Sequence, residues 1–98
     1  MMYELLFTPQ ADQDLKEIET DPSKKSVLKS VRKTLGLMET NLRHPSLKTH
    51  VFQSLKGPNA EKVFEAYVQQ NTPGAYRVFW YYGPNRKEIT IVAITPHP

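Results

Sequence analysis

The sequence predicts an α+β domain, ordered β-α-α-β-β-β, with an antiparallel helix hairpin packed on one face of a small, twisted, mainly antiparallel sheet. Three observations carry that prediction. Apolar residues recur at helical spacing between Pro9 and Leu42, short β-branched and aromatic runs lie at residues 3–7 and from 62 onward, and hairpin-type turn residues separate the later runs. Ninety-eight residues, 1–98, make one domain with one core.

Tyr3 to Phe7 reads as a short strand. Thr8 then offers a side-chain oxygen to cap a helix, and Pro9 fits the first helical position, where its missing N–H costs nothing. Asp12 and Asp14 lie near the positive helix end, and Ala11, Leu15 and Ile18 form a buried stripe ending near Thr20. Asp21-Pro22 repeats the cap-then-proline signal. The second helix carries Val27, Leu28, Val31, Leu35, Met38 and Leu42 toward the core and Lys25, Lys29, Arg32 and Lys33 on its other side. Gly36 weakens its interior by about 1 kcal/mol relative to alanine and marks a bend or an early end. Residues 41–57 read as a connector, because His44-Pro45-Ser46 and Gly57-Pro58-Asn59 are both breakers.

Lys62 to Val68 alternates, with Phe64, Ala66 and Val68 on one face and Val63, Glu65 and Tyr67 on the other. Thr72-Pro73-Gly74-Ala75 has proline and glycine where a type II turn needs them, so this strand folds back onto Ala75 to Tyr82. In the returning strand, parity sends Tyr76, Val78, Trp80 and Tyr82 to the core and Arg77, Phe79 and Tyr81 to the opposite face. The last strand offers Thr90, Val92 and Ile94 to the core, and Ile91, Ala93, Thr95 and His97 join Arg77. Helices are expected on one sheet face and polar residues on the other.

The net charge of +3 is modest, but its distribution is bipolar. Residues 1–21 carry six carboxylates against Lys16, whereas residues 22–62 carry nine lysines and arginines against Glu39 and Glu61. A basic middle third suits a phosphate-rich partner, and a solvated helix face accounts for it equally well. There is no cysteine, which excludes disulfides, thiolate catalysis and Cys-ligated zinc. No apolar run of about 18 residues and no export signal occurs, so a cytoplasmic protein without membrane contact is expected.

The runs Val63-Phe64-Glu65-Ala66-Tyr67, Ala75-Tyr76-Arg77-Val78-Phe79-Trp80 and Ile89 to Pro98, in this order of elements, resemble the RelE/ParE superfamily of toxins from bacterial toxin-antitoxin pairs. The resemblance covers essentially the whole chain, and Tyr76-Arg77 is its most telling motif. It implies a RelE-like, ribosome-dependent endoribonuclease that needs no metal or cofactor. In such enzymes the substrate 2′-hydroxyl attacks its own phosphate, and a cognate antitoxin silences the toxin. Ribosome and messenger RNA would be the further partners, and a homodimer is compatible with the resemblance.

Cleavage of this kind needs a base, an acid and fixed positive charge at the phosphate. By resemblance, Arg77 would clamp phosphate with planar bidentate donors. His97 matches the terminal position where some relatives place a catalytic histidine, and an imidazole titrates near neutral pH. Glu65, on the same face, would act as base or orient the histidine. Lys48, His50 and Lys56 would add phosphate contacts, and Tyr67, Tyr81 and Tyr82 would stack on bases. Structural roles are open beside each of these: an Arg77–Glu65 ion pair, a frayed terminus for His97, strand packing for the tyrosines. The chain ends in Pro96-His97-Pro98, where many active relatives have a tyrosine or a basic cluster. ParE-like relatives share the scaffold and inhibit DNA gyrase, so gyrase inhibition is the alternative, with a non-toxic binding or regulatory domain as the third reading.

Overall fold

Residues 2–70 and 72–97 are described by a computed structural model, in which every predicted element occurs together with one more strand. In chain order these are β1 (Glu4–Phe7), α1 (Pro9–Thr20), a 3-10 turn (Pro22–Lys24), α2 (Lys25–Thr40), a second 3-10 turn (Pro45–Leu47), β2 (His50–Lys56), β3 (Lys62–Tyr67), β4 (Tyr76–Tyr82) and β5 (Glu88–Pro96). The strands form one sheet in the order β1-β5-β4-β3-β2. β1 runs parallel to β5 and the other neighbours are antiparallel. Among the described residues no helix is long and apolar enough to cross a membrane.

The helix starts follow the capping chemistry. The Thr8 hydroxyl accepts from the Ala11 N–H at 3.0 Å, and Asp21 accepts from the Ser23 N–H at 2.9 Å and the Ser23 hydroxyl at 2.7 Å. Asp21-Pro22 opens the 3-10 turn, and α2 follows at Lys25. Gly36 neither ends nor interrupts α2, which continues to Thr40. At the β3–β4 turn, Gly74 has φ +66°, and the Ala75 N–H donates to Thr72 O at 3.0 Å, as a type II turn requires.

Both helices pack on one face of the sheet over Ala11, Ile18, Val31, Met38, Leu47, Ala66, Val78, Trp80, Ile89, Ile91 and Ile94. Each large apolar side chain buried here contributes about 1.5–3 kcal/mol. The opposite face is not uniformly polar as expected. Val63, Phe79 and Tyr81 are buried there in a second cluster, with Phe52, Val92 and Ala93 against them.

Strand β5 departs from the expected parity. Phe79 pairs with Ala93 but Trp80 pairs with Ile91, so Val92 is an extra residue in a bulge. The bulge reverses facing on its N-terminal side. Ile91 enters the helix-side core opposite Trp80, and Thr90 turns away to donate to Gly83 O at 2.9 Å. Beyond the bulge, Thr95 still faces with Arg77. A bulge strands backbone groups, and the start of α1 supplies their partners. The Thr8 hydroxyl donates to Val92 O at 2.9 Å, the Thr8 N–H donates to Ile91 O at 3.0 Å, and buried Asp14 accepts from the Ile94 N–H at 3.0 Å. Asp14, expected only to complement the helix dipole, is thus a link between helix and sheet.

The expected connector contains β2, a fifth strand on the sheet edge. Its side chains are nearly all exposed, so no alternation marked it in the sequence.

Candidate active site

Glu65 lies in the middle of β3 and faces away from the helices, as do Val63 and Tyr67, because Phe64, Ala66 and Val68 take the helix side. Its side chain is only 1% exposed. A carboxylate so enclosed is costly unless charged or hydrogen-bonding groups surround it. Three do so. His50, its cross-strand neighbour in β2, brings Nε2 to 2.7 Å from Glu65 Oε1. His97, just past β5, hydrogen-bonds Glu65 Oε2 through Nδ1, and its backbone N–H is anchored on Ala75 O at 2.8 Å. Arg77, directly across from Tyr67 in β4, places Nε 3.9 Å from Glu65 Oε2.

The two imidazoles differ in what they leave free. His50 meets an acceptor at each nitrogen, since its Nδ1 is 2.9 Å from Lys48 O. Lys48 has φ +46°, an uncommon backbone for a residue with a side chain, and this conformation follows the second 3-10 turn. His97 uses Nδ1 on the carboxylate, and its Nε2 has no hydrogen-bond partner among the described residues. The His97 side chain is 47% exposed. A carboxylate holding Nδ1 orients the ring and leaves Nε2 for proton transfer.

Arg77 belongs to the same cluster, but not as the open phosphate clamp expected from the sequence. Its side chain is 10% exposed, Nη1 donates to Gln69 O at 2.7 Å and to Tyr76 O at 3.0 Å, and Nε is buried with no hydrogen-bond partner. The guanidinium carbon lies 3.8 Å from the centre of the Tyr67 ring. Bidentate reach into solvent is thereby lost, and the cation instead backs Glu65 and supports Tyr67. Glu65 is enclosed by these groups, with 1% of its side chain exposed. His50 is a partner of the carboxylate before it is a phosphate contact, and β2 was the element that hid this from the sequence.

The remaining candidates divide. Tyr67 is half-buried, with Arg77 on its ring, His50 edge-on at 6.0 Å and Lys48 Nζ 5.9 Å from its centre. Lys48 therefore flanks the site. Lys56 pairs with Lys62 at the far end of β2, three β3 residues from the Glu65 that faces His50 and about 10 Å along the strand, because β2 is bulged between Val51 and Lys56. Tyr81 is buried with Val63 and Phe79, so its ring is not available to a base. His44, another loop histidine, accepts from the Ser46 N–H at 3.1 Å and its hydroxyl at 2.7 Å, a capping role. Among the described residues no group of three or more His, Cys, Asp or Glu is placed to hold a metal ion.

No family model and no curated protein matches this sequence. Solved structures do match it over nearly its whole length. The YoeB dimer from Staphylococcus aureus is 19% identical with a TM-score of 0.63, covering 100% of both chains. The archaeal RelE-RelB complex from Pyrococcus horikoshii is 18% identical with a TM-score of 0.65, covering 98% of this chain and 96% of that one. The E. coli DinJ-YafQ toxin-antitoxin complex gives 16% identity and a TM-score of 0.68, over 99% and 94%. The chain has the RelE/ParE toxin fold. On this RelE/ParE scaffold the Glu65 cluster occupies the sheet face opposite the helices, where the end of β5 passes β4 and β3.

Proposed function

We propose that this chain is the toxin of a toxin-antitoxin pair and cleaves messenger RNA on the ribosome without a metal. The observation that carries the reading is the enclosed Glu65 carboxylate gripping Nδ1 of a half-exposed histidine whose Nε2 is free. His97 Nε2 takes the proton of the substrate 2′-hydroxyl, and the 2′-oxygen bonds to phosphorus. The bond to the 5′-oxygen breaks, and that oxygen takes a proton from water. The products are a 2′,3′-cyclic phosphate and a 5′-hydroxyl end, and the imidazolium returns its proton to solvent.

Glu65, His50 and Arg77 act through His97 in this scheme. The carboxylate orients the ring, and His50 and Arg77 hold the carboxylate from its other sides. Lys48 and the half-buried ring of Tyr67 supply charge and an aromatic surface near the imidazoles. A cognate antitoxin is the natural partner, as two of the similar structures are of RelE with RelB and of YafQ with DinJ.

The test is incubation of the purified protein with translating ribosomes and a defined messenger. Cut messenger ending in a 2′,3′-cyclic phosphate is expected. Intact messenger at saturating protein, with gyrase supercoiling blocked instead, would replace this reading with the ParE-like one.

A further inference from the structure

On the other side of the sheet, between the end of α2 and the exposed end of β4, lies a depression of about 320 Å³ lined by Leu42, Arg43, His44, Lys48, Trp80 and Tyr82. The helix-side core closes its floor, so it is separate from the Glu65 cluster. Lys48 alone stands near both. No Asp or Glu lines it, although Arg43 and Lys48 do, and among the described residues neither cation forms an ion pair. Two cations with no counter-charge favour an anionic occupant.

Two further features agree with that polarity. The Ser46 N–H donates to His44 Nδ1, which fixes the tautomer with the proton on Nε2 and makes that nitrogen a donor. Trp80, 1% exposed, lies beneath the depression. Beside it, Tyr82 stands edge-on to Trp80 at 4.8 Å and keeps half of its surface exposed. Burial raises the Tyr82 phenol above its ordinary value, with Tyr3 adding to the rise and Arg43 opposing it, so the phenol brings no negative charge.

We propose that this depression binds a nucleotide, with its phosphate held by Arg43, Lys48 and the His44 N–H donor and its base stacked on Tyr82. The size suits one nucleotide, since ligand pockets begin near about 300 Å³. The chemistry is shared by a free mononucleotide and by one residue of an RNA strand. The site shares Lys48 with the cleavage scheme but not His97 or Glu65, so its failure would leave the His97 scheme untouched.

Trp80 is the sole tryptophan, so the protein has a single indole N–H resonance that reports on the site directly. The experiment follows that resonance in ¹⁵N-labelled protein titrated with inorganic phosphate, adenosine 5′-monophosphate and a five-residue RNA. A saturable shift of the indole peak is expected, at lower concentration for the mononucleotide than for phosphate. An RNA that saturates at lower concentration than the mononucleotide identifies a strand-binding site, and the reverse order a free-nucleotide site. Arg43→Gln and Lys48→Gln, both at exposed positions, should each raise the dissociation constant about 10-fold, the equivalent of one charge-assisted hydrogen bond. An indole peak unmoved by all three ligands at 10 mM (roughly the weak end of specific binding), or binding indifferent to both Arg43→Gln and Lys48→Gln, overturns the proposal.

Discussion

Replacing Glu65 with glutamine keeps the shape of the side chain and removes its charge. In the wild type the carboxylate accepts from His50 Nε2 and His97 Nδ1 and lies 3.9 Å from Arg77 Nε, with 1% of its surface exposed. A hydrogen bond to a charged group contributes about 1.5–3 kcal/mol, and the amide offers an N–H₂ where one histidine needs an acceptor. Both histidines are half-exposed and recover water, so most of their share is returned. Arg77 is not, and it keeps only its two carbonyl partners. The net loss from Glu65→Gln is therefore about 2 kcal/mol, less than the 3–5 kcal/mol typical for breaking a fully buried ion pair. For a chain of this length that lowers Tm by roughly 8–16 °C. Urea unfolding followed by circular dichroism measures it, with His50→Gln as a control expected within about 0.5 kcal/mol of wild type. If Glu65→Gln also falls within that margin, the carboxylate is not what holds the cluster together.

Three further outcomes follow from the scaffold. Thr8→Val removes both the cap on the Ala11 N–H and the donor to Val92 O, and should cost about 2 kcal/mol in urea melts. Gly74→Ala meets no neighbouring atom but inherits φ +66°, so a loss of about 1 kcal/mol is expected, and no loss would mean the turn can relax. Asp21 is held below its ordinary value of 3.8, first by the Ser23 hydroxyl and then by the Ser23 N–H. A folded-state value below the unfolded one stabilises above pH 3.8 and is lost as pH falls through the lower folded value. Stability measured at pH 6 should thus separate wild type from Asp21→Ala, and the gap should close toward pH 3 (roughly the acid end of the carboxylate range).

The elements of this fold were readable where local chemistry alone decides them. Thr8-Pro9 marks the start of α1 and Asp21-Pro22 the 3-10 turn ahead of α2 by capping, and Pro73-Gly74 marks a turn by φ, so each needs only its own neighbours. What failed depended on distant partners. The bulge at Val92 is paired by Thr8 and Asp14, more than seventy residues away in the chain, and nothing in Ile89-Thr90-Ile91-Val92-Ala93 announces the skipped partner. The site faces of Arg77, Thr95 and Glu65 were still read correctly, because the bulge lies before the part of β5 that reaches Arg77. Strand β2 gave no alternating signal because an exposed edge strand has no buried side to record, and with it went the pairing of His50 with Glu65. Burial was the other missing quantity. From composition Arg77 and Tyr81 look like an open cation and an open ring, and only the packing around them takes that freedom away.

The most direct measurement is the single-turnover rate of messenger cleavage on ribosomes for His97→Gln and His50→Gln beside wild type. Loss of a general base should slow His97→Gln by about 10²–10⁴-fold with the fold intact. His50→Gln should lose far less, because both nitrogens of that ring are already engaged by Lys48 O and Glu65. Equal rates for wild type and His97→Gln, or a deeper loss from His50 than from His97, would contradict the assignment of proton transfer to His97 Nε2.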